Sequence, residues 1–191
     1  RLPWLTKDQR FAGLICASVG THGKAVSWAA QQYGVRATIV VPKTIPELKE
    51  KAIKRYGGQV VKAPGTSFDE AQVYARKLAE KTGHLWVSPY DDAYAQAGNG
   101  GTMGLEIFED VKKLDAVVVP CGGGGMAVGL GVVARHLSPK TKIIAVNVDT
   151  SPSMALSRKE GRVVQPLDPK PTLADAMTGA VSAHTLRLGM K

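Results

Sequence analysis

Cysteine is almost missing: Cys16 and Cys121 are the only two in 191 residues. Neither stands in a CxxC spacing or a histidine-rich setting, and each falls in or beside an apolar run expected to be a buried strand. That excludes a disulfide framework and a cysteine metal site, and it predicts free thiols in a reducing compartment, the cytoplasm. Long apolar runs are missing too, since the longest are strand-sized and none approaches a membrane span. No secretory leader is visible. Aromatic residues make up 6% of the chain, and the lysines and arginines behind a formal charge of +9 are scattered over many helices. Nucleic acid is therefore not expected as a partner, and a small anionic ligand accounts for the positive balance as well. With 44% hydrophobic residues the chain can build a core as one large or two small domains. It does not open on methionine, and residues 1–11 read like the middle of a helical region, so a fragment of a longer polypeptide is expected.

The most informative stretch is residues 116–137. A hydrophobic run, 116–119, is followed by Pro120, Cys121, then Gly122, Gly123, Gly124 and Gly125, then a helical pattern. Four adjacent glycines remove every side chain from a strand-to-helix turn. Several backbone N–H groups can then converge on one small anion at the positive end of a helix dipole. The glycines are contiguous rather than spaced as GxGxxG, and no GK[ST] follows, so neither a Rossmann fingerprint nor a P-loop is present. The competing reading is a tight turn that merely lets a helix pack on its strand, for which one or two glycines suffice.

The flanking chain repeats this alternation. Strands are predicted at 13–17, 37–41, 59–62, 85–87, 116–119 and 142–146, with helices between them. Ser18, Val19, Gly20, Thr21, His22 and Gly23 form a second candidate anion loop before a helix ending near Gly34. Pro46 opens a basic helix closed by Gly57 and Gly58. Ser67 and Glu70 make a capping box for a helix that runs to Thr82 before Gly83. Short turns between strand–helix units imply parallel sheets covered by helices. The glycine-rich segment 97–102 reads as a flexible joint and the candidate boundary between domains 1–98 and 99–191. A helix is expected at 152–159. Beyond Gly161 the pattern weakens, broken by Pro166, Pro169 and Pro171.

Taken together, the loop from Ser18 to Gly23, the run Gly104-Leu105-Glu106-Ile107, the segment from Pro120 to Met126, Pro152-Ser153-Met154 and Thr172-Leu173-Ala174-Asp175 resemble the serine/threonine dehydratase family of pyridoxal-phosphate enzymes of fold type II. Order and spacing match over essentially the whole chain. The resemblance implies an α/β, two-domain, tryptophan-synthase-β-like fold, present here in part, with pyridoxal 5'-phosphate between a smaller and a larger domain. It implies a lyase that eliminates water and ammonia from a small hydroxy amino acid to give a 2-oxo acid, working as a homo-oligomer, dimer or tetramer. Residues Gly122, Gly123, Gly124, Gly125 and Met126 would hold the cofactor phosphate. Ser18, Val19, Gly20, Thr21 and His22 would receive the substrate carboxylate, with Thr21 also facing the cofactor ring hydroxyl.

Departures from the family pattern carry chemistry. Thr21 stands where the family has Asn, and a hydroxyl is shorter and cannot present the same donor and acceptor pair. Val19 stands where the family's racemases carry Ser, and it cannot transfer a proton, which disfavours racemisation. Asn147 and Ser153 occupy positions where some members bind a divalent cation through acidic residues. They are weak ligands, with Asp149 nearby in partial compensation, and no metal is expected there. The family's cofactor lysine lies in an SFKxR-type segment, which nothing in residues 1–17 matches; Lys7 sits in a polar setting, so the lysine is expected to be missing from this chain.

Other residues have ordinary competing explanations. Lys24, in place of the family's Gln, is either an added charge for a carboxylate or a solvated lysine. His22 is expected to orient the loop rather than to act as an acid, and His84 and His136 are given no chemistry. Glu106 either faces the cleft or is solvated, and Asp175 either approaches the cofactor or is a plain turn aspartate. A non-catalytic relative that binds a phosphate ligand or a partner chain is the alternative function. A cysteine-synthase-like β-replacement enzyme is a lesser one, disfavoured by His22 and the tetraglycine.

Overall fold

The computed structural model describes residues 2–164, 172–179 and 181–190, with the backbone alone of Trp4 and Asp175. The chain divides into two compact units, Arg1–Pro89 and Tyr90–Lys191.

The first unit opens with a 3-10 turn, Leu2–Trp4, and helix α1, Lys7–Ala12. A capping box starts α1: Gln9 N–H donates to Thr6 Oγ1 at 3.2 Å and Thr6 N–H donates to Gln9 Oε1 at 3.1 Å. Then follow β1 (Leu14–Ala17), α2 (Thr21–Gln32), β2 (Ala37–Val41), α3 (Glu47–Arg55), β3 (Gln59–Lys62), α4 (Phe68–Thr82) and β4 (Leu85–Trp86). The strands form one parallel sheet in the order β3-β2-β1-β4. Every residue of β1 and β2 is buried, as expected of central parallel strands covered on both faces. Successive side chains point to opposite faces. Leu14, Cys16, Ile39 and Val41 pack with Val26 and Ala30 of α2 and Ile53 of α3. Ile15, Ala17 and Val40 pack with Ala71, Ala75 and Ala79, three alanines spaced four residues apart along α4. Ser67 and Glu70 cap α4 reciprocally, as their spacing predicts, and Gly83 ends it at φ +71°.

The second unit runs through α5 (Ala93–Gln96), a π turn (Ala97–Gly101), α6 (Thr102–Asp110), β5 (Ala116–Pro120), α7 (Gly125–Leu137), β6 (Lys142–Val146), α8 (Ser153–Glu160), a 3-10 turn (Asp175–Met177) and α9 (Ala183–Gly189). β5 and β6 pair in parallel, Ala116 opposite Lys142 and Pro120 opposite Val146. The core is Val119, Cys121, Ala127, Leu130, Met154, Val181 and Leu186. On the other face Val118, Ile144 and Val146 are exposed.

Two features differ from expectation. The segment 97–102 is not a loose joint but a helical turn packed backbone to backbone on α7: a Cβ at Gly100 would run into the Met126 carbonyl, and one at Gly129 into the Gln96 carbonyl. Glycine serves close approach there, not flexibility, and the units divide after Pro89 rather than at Gly98. The tail also contains a helix, α9, with Ser182 as its N-cap. Pro166, Pro169 and Pro171 lie outside the described residues. Among the described residues no helix is long and apolar enough to cross a membrane.

Candidate functional site

The tetraglycine turn joins β5 to α7. Its ends are anchored: Cys121 N–H donates to Val146 O at 2.8 Å and Val128 N–H to Gly124 O at 2.9 Å. Between them, none of the N–H groups of residues 122–127 donates to a described residue. The first amides of any helix lack partners within it, and the 13-residue α7 places about half a positive charge at this end. The glycines also answer to packing. Gly124 is the N-cap at φ +87°, the left-handed region that L side chains disfavour. A Cβ there would lie 2.6 Å from Met154 Cε and 2.7 Å from Thr185 Cγ2, and at Gly122 3.0 Å from the Ala176 carbonyl. Packing thus demands a loop without side chains, and such a loop also leaves its amides open to a small anion. A phosphate fits this loop: all its donors are backbone amides, and residues 120–126 contain no acidic group.

Asn147, weighed from the sequence as a poor metal ligand, has another occupation. Its Nδ2–H donates to the Cys121 carbonyl at the mouth of the glycine loop, and its Oδ1 accepts from Ala155 N–H at 3.0 Å. It therefore caps α8, whose N-cap Pro152 offers no side-chain acceptor, and ties that helix to the loop. Ser153 is buried and Asp149 is exposed. Among the described residues no group of three or more His, Cys, Asp or Glu side chains gathers as a metal site would require. Cys121 is a free, buried thiol. Burial pushes its pKa up, partly opposed by its hydrogen bond with Asn147.

The second loop lies in the first unit, between β1 and α2. Ser18 is 3% exposed, and its Oγ accepts from Gly20 N–H at 3.1 Å and Gly23 N–H at 2.9 Å. Its hydroxyl and the amides of Gly20 and Gly23 are spent on shaping the loop, so any anion met here would fall to the amides of Val19, Thr21 and His22. Gly23 permits the close fit, since a Cβ there would lie 2.8 Å from Ile39 Cγ2 and 3.0 Å from Ser18 Cβ. Thr21 is the exposed first residue of α2. His22 Nε2 lies 3.2 Å from the Val87 carbonyl; a carbonyl only accepts, so this nitrogen carries the proton, and the ring ties the start of α2 to residue 87. Lys24 is half-buried.

Glu106, Lys7 and His136 are exposed. His84 sits against Thr82 Oγ1, and the side chain of Asp175 lies outside the description. Among the described lysines only Lys24 and Lys49 are even partly buried, so none has the desolvated setting of a cofactor lysine. Three neighbours of the glycine loop carried no local signal. Tyr90, Thr185 and Asn147 are distant in sequence and meet it only through the fold.

Residues 2–188 match the family described as pyridoxal-phosphate dependent enzyme. An L-threonine ammonia-lyase of Thermotoga maritima is 40% identical over 177 residues, 93% of this chain and 43% of that protein. The catabolic L-threonine dehydratase TdcB of Staphylococcus aureus is 40% identical over 153 residues, 80% and 44% of the two chains. Among solved structures, the processed form of threonine deaminase isoform 2 from Solanum lycopersicum superposes with a TM-score of 0.90 at 37% identity, covering 99% of this chain and 52% of that one. Maize serine racemase gives 0.88 at 28% identity, covering 98% and 56%. The chain spans under half the length of these curated relatives.

Parallel sheets flanked by helices, with glycine-rich strand-to-helix turns, are the architecture of an α/β chain. The chain belongs to the pyridoxal-phosphate-dependent enzymes of fold type II, in the serine/threonine dehydratase group. The family, fold class and cofactor expected from the motifs are thus borne out.

Proposed function

We propose that this chain is the part of an ammonia-lyase that holds the cofactor phosphate and the substrate carboxylate, in an enzyme that converts threonine or serine to the 2-oxo acid with net loss of ammonia. The observation that carries it is the side-chain-free amide cradle of residues 122–126 at the head of α7, in a chain 40% identical over 93% of its length to an L-threonine ammonia-lyase. Pyridoxal phosphate, when bound, draws electrons from the substrate α-carbon and makes its proton removable.

What the chain itself contributes is grip and orientation. The amides of Gly122, Gly123, Gly124, Gly125 and Met126 take the phosphate. The loop of Ser18, Val19, Gly20, Thr21 and His22 takes the substrate carboxylate through its backbone, because the Ser18 hydroxyl is committed within the loop. His22 braces that loop on Val87. Thr21 brings a single hydroxyl where the family has an amide. Val19 has no proton to exchange, which favours elimination over racemisation. The amine base at the α-carbon is assigned to no described lysine. The enzyme works in the cytoplasm, a setting supported by two free thiols, and as a homo-oligomer.

Two measurements test this. Pyridoxal phosphate titrated into the chain should bind far more tightly than pyridoxal, and equal affinity would overturn the phosphate assignment. The full-length polypeptide should release a 2-oxo acid and ammonia from threonine or serine and yield one borohydride-fixed cofactor adduct by intact mass. Bound cofactor without oxo acid would overturn the lyase assignment.

A further inference from the structure

The shape of the tetraglycine loop is set by what it rests on, because residues 122–127 donate no N–H to any described residue. Beneath Gly123 lies the ring of Tyr90. A Cβ at Gly123 would be 2.6 Å from both Cγ and Cδ1 of that ring and 3.1 Å from Cδ2, so the ring is flush with the glycine peptide. Tyr90 is in turn clamped. Its carbonyl accepts from Gln96 Nε2–H at 2.7 Å and from Thr185 Oγ1–H at 3.0 Å, and both donors are buried, Gln96 5% and Thr185 0% exposed.

The clamp extends one layer further. Thr185 N–H donates to Ser182 Oγ at 3.0 Å, and the Ser182 hydroxyl donates to Asp91 Oδ1 at 2.8 Å. The two hydroxyl oxygens are 2.9 Å apart. Each hydroxyl has one hydrogen; with Ser182's on the Asp91 carboxylate and Thr185's on the Tyr90 carbonyl, both are spent. Residues 90 and 91, the end of α5 and the start of α9 thus form a polar frame around one aromatic ring, and a satisfied buried frame of this kind resists rearrangement.

We propose that Tyr90 is a positioning residue of the phosphate cradle: its ring is the floor that keeps the loop open and its amides available to an anion, and Gln96 and Thr185 hold that floor in place. The proposal rests on reading residues 122–126 as a phosphate site. It assigns Gly123 a steric reason separate from the ligand, because any side chain there would displace the ring.

The test is calorimetric titration of deoxypyridoxine phosphate, which lacks the aldehyde and so forms no bond to lysine, and of inorganic phosphate. Both are titrated into the wild-type chain, Tyr90→Phe, Tyr90→Leu and Thr185→Val, with urea midpoints measured in parallel. The wild type should bind. Tyr90→Phe should match it, because the ring is kept, whereas Tyr90→Leu should lose about tenfold or more in affinity for both ligands. Thr185→Val keeps the shape of the side chain but removes its donor, and should fall between them with little change in midpoint. The proposal is overturned by Tyr90→Leu binding like wild type, or by Tyr90→Phe weakening as much as Tyr90→Leu, which would move the role from the ring to the hydroxyl. If Tyr90→Leu does not fold, Thr185→Val decides, and unchanged affinity in it overturns the proposal. Failure of the wild type to bind either ligand refutes the cradle itself and is distinct from all of these.

Discussion

Replacing Gly124 with Ala should be among the most damaging single-methyl changes in the second unit. The residue sits at φ +87°, where an L side chain costs about 1–2 kcal/mol. Its Cβ would also lie 2.6 Å from Met154 Cε and 2.7 Å from Thr185 Cγ2, and forcing an extra methyl into such a packed site costs about 1–3 kcal/mol. The sum, about 2–5 kcal/mol, is a large share of the roughly 5–15 kcal/mol that holds a typical domain folded. Gly131, further along α7, is the control. Nothing lies within 4 Å of its added Cβ and its φ is not positive, so Gly131→Ala should gain about 0.5–1 kcal/mol from helix propensity. Urea unfolding of both variants, with midpoints compared at a common slope, reads the difference. Part of the Gly124 penalty is a clash with one flexible side chain, so adding Met154→Ala should make the double variant less damaged than the sum of the singles. A Gly124→Ala midpoint equivalent to a loss under about 0.5 kcal/mol, below the range of either term, would refute both the strain and the packing argument.

Asn147→Asp keeps the acceptor for Ala155 N–H but turns a donor facing the Cys121 carbonyl into a second acceptor, and should destabilise by about 1–3 kcal/mol; phosphate titration should weaken with it. Cys16 is wholly buried and its thiol is pushed far above the ordinary range by burial alone, so a thiol reagent at mildly alkaline pH should label it only after urea is added, and rapid labelling of the folded chain would contradict the central placement of β1. The His84 imidazole is held below its ordinary pKa, first by burial and then by the Arg36 charge, so the unfolded chain takes up the proton more readily. The stability His84 contributes is complete above the ordinary histidine range, near pH 6.5, and is lost as pH falls through the lower folded value, so His84→Gln should flatten the stability slope between about pH 7 and pH 5.

What was legible in the sequence was whatever depends on neighbours along the chain. The contiguous glycines at residues 122–125, the reciprocal spacing of Ser67 and Glu70, and the apolar strand runs each carry their own mechanism within a few positions. Each appears in the structure where its pattern placed it. What was not legible depends on partners far away. Nothing local marks Tyr90 as the residue beneath Gly123, or Asn147 as the clasp between Cys121 and α8. The glycines at 97–102 misled for a physical reason. Glycine permits both flexibility and close backbone approach, and only the presence of α7 against Gly100 shows which applies. Helix α9 escaped notice because seven residues give too little periodicity, and its one clear start signal, Ser182, stands behind a proline-broken stretch.

The two sheets differ in a way that predicts a property of the isolated chain. Parallel strands are ordinarily covered on both faces, and β1 and β2 in the first unit obey this, with every residue buried. In the second unit one face of the β5–β6 pair carries Val118, opposite Ile144, and Pro120, opposite Val146. Val118 is 65% exposed, Ile144 45% and Val146 42%. Covering each of these half-exposed side chains is worth on the order of 1 kcal/mol, so the face is a sticky apolar patch. The chain should therefore bind the dye ANS while folded. The pair Val118→Thr with Ile144→Thr keeps β-branched residues in the strands and should lower the dye signal. Val73→Thr on α4 is the control: that valine is 54% exposed, but it stands on a helix of the other unit and outside this patch. If both changes leave the dye signal alike, the patch is not what the dye reads, and the contrast drawn between the two sheets fails with it.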